Sequence, residues 1–485
     1  MLLPVQAGSY FLYERWTKFL LIHRMHLDEH YAVLDINSGA VHLVDHMIYD
    51  LLSVYDGNNV EETMVAFINK YDEQDLREAF VELKELQEQG LLFSQPFPVP
   101  DTFSQEPILK SLCLHVAHDC NLCCGYCFAG TGDFGGHRAL MSKEIAEQAI
   151  EFAIAGSKNR HNLELDLFGG EPLMNIPVVK HIINYVRKRE KEVNKNIKLT
   201  LTTNGTLLSD EIIKFFNDNR VMLVLSLDGK PETHNNMRPF PNKVGSYDAA
   251  VSGFKKVIES RQEKNYYLRG TYTHYNLNFA DDTLSMLDVG KKVSMEPVIG
   301  TDEPYALTEE DLPKIMDEYD KLARIYLAKR AKGEAFDFFH FNVALDNGPC
   351  VAKRLAGCGA GHEYFAVTPE GDLYPCHQFV GREQYKMGTL DTGIERQDLV
   401  QHFRQMHVMN KPMCKECWAR FFCSGGCHAN ADMANGDISK PYEYGCKIQK
   451  KRLECAIMLQ ALLTEDVNEG GEDLRPEIDN FTFQA

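Results

Sequence analysis

The sequence predicts an α/β protein built on a parallel sheet, either open or closed part-way into a barrel. A small unit precedes that sheet and a cysteine-rich domain follows it. Three observations predict this. Between about residues 109 and 300, short apolar runs alternate with longer helical stretches. The ends of those runs carry polar and glycine-rich residues, where parallel α/β folds place their sites. The cysteines are gathered into clusters instead of being scattered.

At 485 residues the chain is long enough for two to four domains, and 44% hydrophobic residues can fill their cores. Lys+Arg number 51 against 70 Asp+Glu, a net charge of −19 with no basic run, which argues against a nucleic-acid partner. A neutral or cationic polypeptide fits better. No stretch approaches the ~20 apolar residues of a membrane span, and Glu14, Arg15 and Lys18 interrupt any secretory core. A cytoplasmic location is expected, with no membrane partner. Thiols stay reduced there, so 14 cysteines predict metal sites before disulfides.

Residues 18–93 read as a small α/β unit. Tyr31–Ile36 and Ala40–Val44 form a hairpin through Asn37-Ser38-Gly39, and Leu76, Phe80, Leu83 and Leu86 mark one face of a helix that stops at Gly90. Four prolines make residues 94–107 a linker. Residues 108–300 hold six strands: Ser111–Val116, Glu164–Phe168, Lys198–Thr203, Leu223–Leu227, Leu268–Thr273 and Val293–Val298. At or beyond their ends lie Cys120, Gly169-Gly170-Glu171, Thr203-Asn204-Gly205, Ser226 to Asp228, and Glu296. Residues 301–345 read as charged bridging helices. Residues 346–465 have little periodicity, as metal-organised chain does, and a helix over Lys447–Leu463 closes them. An acidic tail, 466–485, ends the chain.

Cys120-x3-Cys124-x2-Cys127 places three thiolates on one tight loop, enough for three irons of a cubane with the fourth left open. Cys113 sits inside a strand and reads as a small core residue. Cys123 opens a rival register, Cys120-x2-Cys123-x3-Cys127, and zinc is the alternative metal.

The motif resembles the C-x3-C-x-aromatic-C of the radical S-adenosylmethionine superfamily, with Tyr126 as the aromatic residue. That resemblance implies a partial (β/α)6 TIM barrel and a 4Fe–4S cluster on Cys120, Cys124 and Cys127, with Cys123 a non-ligand. It also implies S-adenosylmethionine contacts from Tyr126, Phe128, the GGEP element (Gly169, Gly170, Glu171), Thr203, Asn204, Ser226 and Asp228, with Arg238 on the cofactor's carboxylate. Glu171 would supply negative charge or order its loop.

Cys358, Cys376, Cys414, Cys417, Cys423, Cys427 and Cys446 are similar in spacing to the SPASM extension of peptide-modifying radical enzymes. The resemblance implies two auxiliary 4Fe–4S clusters, three in all. Cys414, Cys417, Cys423 and Cys446 would enclose one; Cys358, Cys376 and Cys427 would hold the other, with Cys350 or a substrate thiolate on its remaining iron. Two structural zinc knots are the alternative. Residues 18–93 resemble a winged-helix-like precursor-peptide recognition element, to which a leader adds as a strand.

Stretches such as IHRMHLDEHYAVLDINSGAVHLVD and FVGREQYKMG look like the six-cysteine peptide maturases of the sactipeptide and ranthipeptide group. This implies thioether crosslinks, cysteine sulfur to carbon, in a ribosomal leader-bearing peptide, with electrons from a low-potential donor such as flavodoxin or ferredoxin. No acid–base residue is demanded. Other radical peptide chemistry (a carbon–carbon crosslink, or formylglycine) and a zinc-stabilised peptide-binding module are the competing readings.

Overall fold

The computed structural model of the chain describes residues 21–96, 106–300, 303–345 and 351–468. Cys350, the middle of the expected linker and all but the first residues of the expected acidic tail lie outside them.

The N-terminal unit is a three-stranded antiparallel sheet of β1 (Ile22–Leu27), β2 (His30–Asp35) and β3 (Val41–Val44), with β2 central. Gly39 takes the left-handed conformation that closes the expected turn, φ +79°. The helix Glu73–Glu88, capped by Asp72, buries Leu76, Ala79, Phe80 and Leu83 and stops before Gly90, φ +72°. The strand β1 was not expected from the sequence. Ile22, Met25 and Leu27 are buried, but His23 faces the C-terminal domain, where its ring stacks on Trp418 at 3.8 Å and its Nε2 lies 2.9 Å from Glu454. Nearby, Arg420 donates to Asn37 at 2.7 Å, and Asn37 donates to the Ser94 carbonyl. Residues 94–96 are therefore tied to the hairpin.

All six expected core strands are present, each one or two residues out of register with its sequence bounds. They are β4 (Ser111–His118) and, after a short β5 (Ala139–Leu140), β6 (Asn162–Gly169), β7 (Asn196–Thr203), β8 (Val221–Ser226), β9 (Tyr266–Tyr272) and β10 (Lys292–Pro297). Each is parallel to its predecessor in chain order. Side chains alternate along each strand. Leu163, Leu165 and Leu167 of β6, and Leu199 and Leu201 of β7, pack into the core with residues of the connecting helices. The opposite set (Glu164, Asp166, Thr200, Thr202, Arg269, Thr271, Glu296) is polar and half-buried, with Phe168 its apolar member.

Two segments differ from expectation. The presumed bridge is part of the core: Leu312–Ala331 buries Ile315, Tyr319, Leu322 and Tyr326, and β11 (Asp337–Phe338) extends the sheet beside β10. The cysteine-rich segment also shares this sheet. Its β12 (Tyr364–Val367) pairs in parallel with β4, then β13 (Asp372–Tyr374), β14 (Gly388–Thr389) and β15 (Gly393–Ile394) continue antiparallel. The closing helix is longer than expected, Glu443–Asn468, and packs on helix Leu312–Ala331 and on β1 and β3. Among the described residues no helix is long and apolar enough to cross a membrane.

Candidate active site

The loop after β4 carries Cys120, Cys124 and Cys127 and is held from two sides. The end of β6 docks on the chain entering it: Gly170 N donates to the Ala117 carbonyl at 2.8 Å and Glu171 N to that of Asp119 at 2.9 Å. A Cβ on Gly169 would lie 2.2 Å from the Ala117 oxygen, and one on Gly170 2.3 Å from the Asp119 oxygen. The glycines thus admit the backbone of the cysteine loop. On its other side Cys123 N and Gly125 N donate to the carbonyls of Pro239 and Met237, which brings Arg238 alongside.

Asp228 organises this corner. Fully buried, it accepts from Arg238 Nε at 3.0 Å, from the Tyr126 hydroxyl at 2.5 Å and from Thr271 N at 3.1 Å. Among the described residues the two terminal nitrogens of Arg238 have no hydrogen-bond partner, and its guanidinium lies 5.4 Å from the centre of the Tyr126 ring. Ser226 ends β8 half-buried, opposite Arg269.

Glu171 orders its loop. Its Oε1 accepts from Leu173 N at 3.0 Å and the Thr203 hydroxyl at 2.8 Å, and its Oε2 from Asn204 N at 2.8 Å. Thr203 is committed to Glu171, and its oxygen also accepts from Gly205 N. Asn204 faces the cysteine loop, donating to Asn121 Oδ1 at 2.9 Å. Phe128 points elsewhere. It is 53% exposed and packs near Phe134 and, at 5.8 Å, His377 of the C-terminal domain.

The structure brings the ten cysteines into three groups. Burial pushes the Cys120 thiol up to about 11 and the Cys124 thiol to about 12; Cys127 raises both further and Arg238 opposes the rise. In the second group, burial raises Cys376, which Cys427 and Cys358 reinforce. In the third, burial pushes Cys446 up to about 12, reinforced by Cys423, Cys414 and Cys417. Cys113 is buried in β4, as expected, and Cys123 is exposed. Among the described residues no three His, Cys, Asp or Glu side chains converge on a point fit for one metal ion. The donors of each group are thiols, a soft set that suits iron–sulfur clusters.

Residues 114–285 match the Radical SAM superfamily, and residues 358–418 match SPASM, the iron-sulfur cluster-binding domain. The chain carries a radical SAM domain and a SPASM domain. With them come binding of S-adenosylmethionine and of iron–sulfur clusters, and radical SAM enzyme character. A cysteine-type anaerobic sulfatase-maturating enzyme of Clostridium novyi is 24% identical, over 67% of this chain and 90% of that protein. The radical SAM cyclopropyl synthase TigE of Paramaledivibacter caminithermalis is 21% identical, over 90% of this chain and 91% of its own. Among solved structures, native anSMEcpe with bound AdoMet and Cp18Cys peptide has a TM-score of 0.60 at 20% identity, covering 74% of this chain and 99% of that one. Streptococcus suis SuiB bound to S-adenosylmethionine has a TM-score of 0.50 at 15% identity, covering 87% and 97%. These structures share the fold.

Sequence reasoning missed Asn121, Arg269 and Trp418. For Arg269 there was a signal: Tyr267, Arg269 and Thr271 alternate with Tyr266, Leu268 and Gly270, the mark of a strand with one polar face. The other two make long-range contacts that nothing local encodes.

Proposed function

We propose that this chain installs thioether crosslinks, cysteine sulfur to carbon, in a ribosomally made, leader-bearing, cysteine-rich peptide. The observation that carries the reading is the grouping of thiols by three, three and four. Cys120, Cys124 and Cys127 would hold the cluster that binds S-adenosylmethionine. Cys358, Cys376 and Cys427 would hold one auxiliary 4Fe–4S cluster, and Cys414, Cys417, Cys423 and Cys446 a second that they enclose completely. An iron left open in the first auxiliary cluster suits a substrate thiolate, because a metal-bound thiol is deprotonated.

When bound, the reduced cluster supplies the electron that cleaves S-adenosylmethionine and begins hydrogen abstraction from the peptide. The chain's residues orient the partners. Arg238, fixed by Asp228, receives the cofactor's carboxylate; Glu171 positions Asn204 and the strand ends; Gly169 and Gly170 let those ends reach the cysteine loop. Tyr126 and Ser226 border the cofactor. The unreversed strand order, with helices against one face and half-buried polar residues on the other, supports a partial barrel opening toward the peptide. An external low-potential donor, flavodoxin or ferredoxin, would reduce the clusters in the cytoplasm.

The N-terminal unit would read the leader. Its β3 is a sheet edge, and beside it a groove of about 230 Å³ is lined by Val33, Leu43, Val44, Ile48, Leu83 and Leu86. An extended peptide can add there as a strand while its side chains enter the groove.

The sulfatase-maturating relatives favour a second reading, formylglycine formation. Anaerobic turnover with a synthetic leader-bearing, cysteine-rich peptide separates the two. Crosslinking predicts loss of two hydrogens per bond and a thioether located by tandem mass spectrometry. Cofactor consumption with unchanged peptide mass, or a formylglycine product, would contradict it.

A further inference from the structure

The polar face of the sheet holds a cation that, among the described residues, has no hydrogen-bonded counter-ion. Arg269 lies midway along β9, half-buried, in register with Ser226 on one side and Ser294 on the other. Among the described residues its guanidinium makes no hydrogen bond and no ion pair. Glu296, two residues beyond Ser294, is within electrostatic reach of Arg269, but its oxygens already have closer partners: Oε1 lies 2.9 Å from His340 Nε2, and Oε2 lies 3.3 Å from Arg452. On the far side Arg269 is within electrostatic reach of His377, the neighbour of Cys376. Arg269 is thus a strand neighbour of Ser226, one of the residues assigned to the cofactor, and within electrostatic reach of the residue beside Cys376.

A guanidinium in a partly desolvated site is stabilised by a planar anion that accepts two hydrogen bonds. We propose that Arg269 binds a carboxylate of the reacting complex, and so fixes where that ligand lies. The inference rests on the proposed radical chemistry. Two sources offer this group: an acidic residue of the peptide and the methionine end of S-adenosylmethionine. Arg238 already faces the latter, so the peptide carboxylate is the ligand assigned to Arg269. The residue is a positioning residue, since no bond to it forms or breaks.

The test uses the full-length, cluster-loaded enzyme and its Arg269→Gln and Arg269→Lys variants. Binding is measured for S-adenosylmethionine, for its decarboxylated analogue, and for an acetylated cysteine–glutamate peptide amide with its cysteine–glutamine counterpart. The expected result is that R269Q weakens the glutamate peptide about tenfold or more. The glutamine peptide should be unaffected, and R269K intermediate. A loss confined to S-adenosylmethionine, absent with the decarboxylated analogue, keeps a carboxylate on Arg269 and overturns its assignment to the peptide. Equal binding of all four ligands by wild type and R269Q overturns the proposal entirely. Formation of 5′-deoxyadenosine with dithionite is scored separately. If wild type forms none, the radical reading itself fails; if both proteins form it while affinities are unchanged, only the arginine assignment fails.

Discussion

Burial pushes two carboxyls near the site, Glu171 and Asp166, up to about 7, but the two are held differently. Glu171 accepts three hydrogen bonds from three different places, so it acts as a knot between strand ends. Glu171→Ala would strand two backbone N–H groups and a hydroxyl. Urea denaturation should show a loss of about 3 kcal/mol, with S-adenosylmethionine binding weakened as Asn204 loosens. Asp166, on the polar face, has its carboxyl pushed up to about 7 by burial, then by Glu164, against a hydrogen bond from Thr200. The fold therefore favours its protonated form. Its contribution to stability is full below pH about 4 and is lost as pH rises to about 7. Asp166→Asn should remove that slope. The wild-type-minus-variant stability should fall by roughly 1–2 kcal/mol between pH 4.5 and 8, an amount reduced for solvent screening of a half-buried group. A flat difference would show that Asp166 is ionised throughout.

At the scale of elements, the strands that bear the site were legible because each is a short apolar run with a chemical signature at its end. Of these, β6 also alternates clearly, as Leu163-Glu164-Leu165-Asp166-Leu167. Elements whose partners are distant in sequence were not legible. His23, Arg24 and His26 make β1 look like loop, because its polar side is matched by Trp418 and Glu454, almost four hundred residues away or more. Likewise β12 lies in aperiodic, cysteine-rich chain, and only its pairing with β4 makes it a strand. The contacts of β1 and its hairpin give a prediction. Trp418 and Arg420 belong to the Cys414–Cys423 loop and hold the N-terminal unit through His23 and Asn37. Trp418→Ala with Arg420→Ala should cost about 2 kcal/mol of that docking. Amide exchange across Ile22–Val44 should then rise roughly tenfold or more while β6 to β8 stay protected; unchanged exchange would show that the unit docks by other contacts.

For the molecule as a whole, one sheet joins what the sequence suggested were separate domains. β11 adds the presumed bridge to one edge and β12 adds the cysteine-rich segment to the other, so the three thiol groups are carried on a common framework. The cysteine groups themselves were readable from spacing and resemblance, since a loop ligand set is local. The position of Arg269 relative to them was not, because it depends on how the two sheet edges are arranged in space. The central claim is that Cys120, Cys124 and Cys127 hold a cluster with an iron open to S-adenosylmethionine. The measurement that tests it most directly is 5′-deoxyadenosine formation by the anaerobically reconstituted, dithionite-reduced protein, beside its iron content. Wild type should form the nucleoside and hold about twelve irons per chain. A variant with all three residues changed to Ala should hold about eight and form none. Undiminished 5′-deoxyadenosine from that variant would contradict the account.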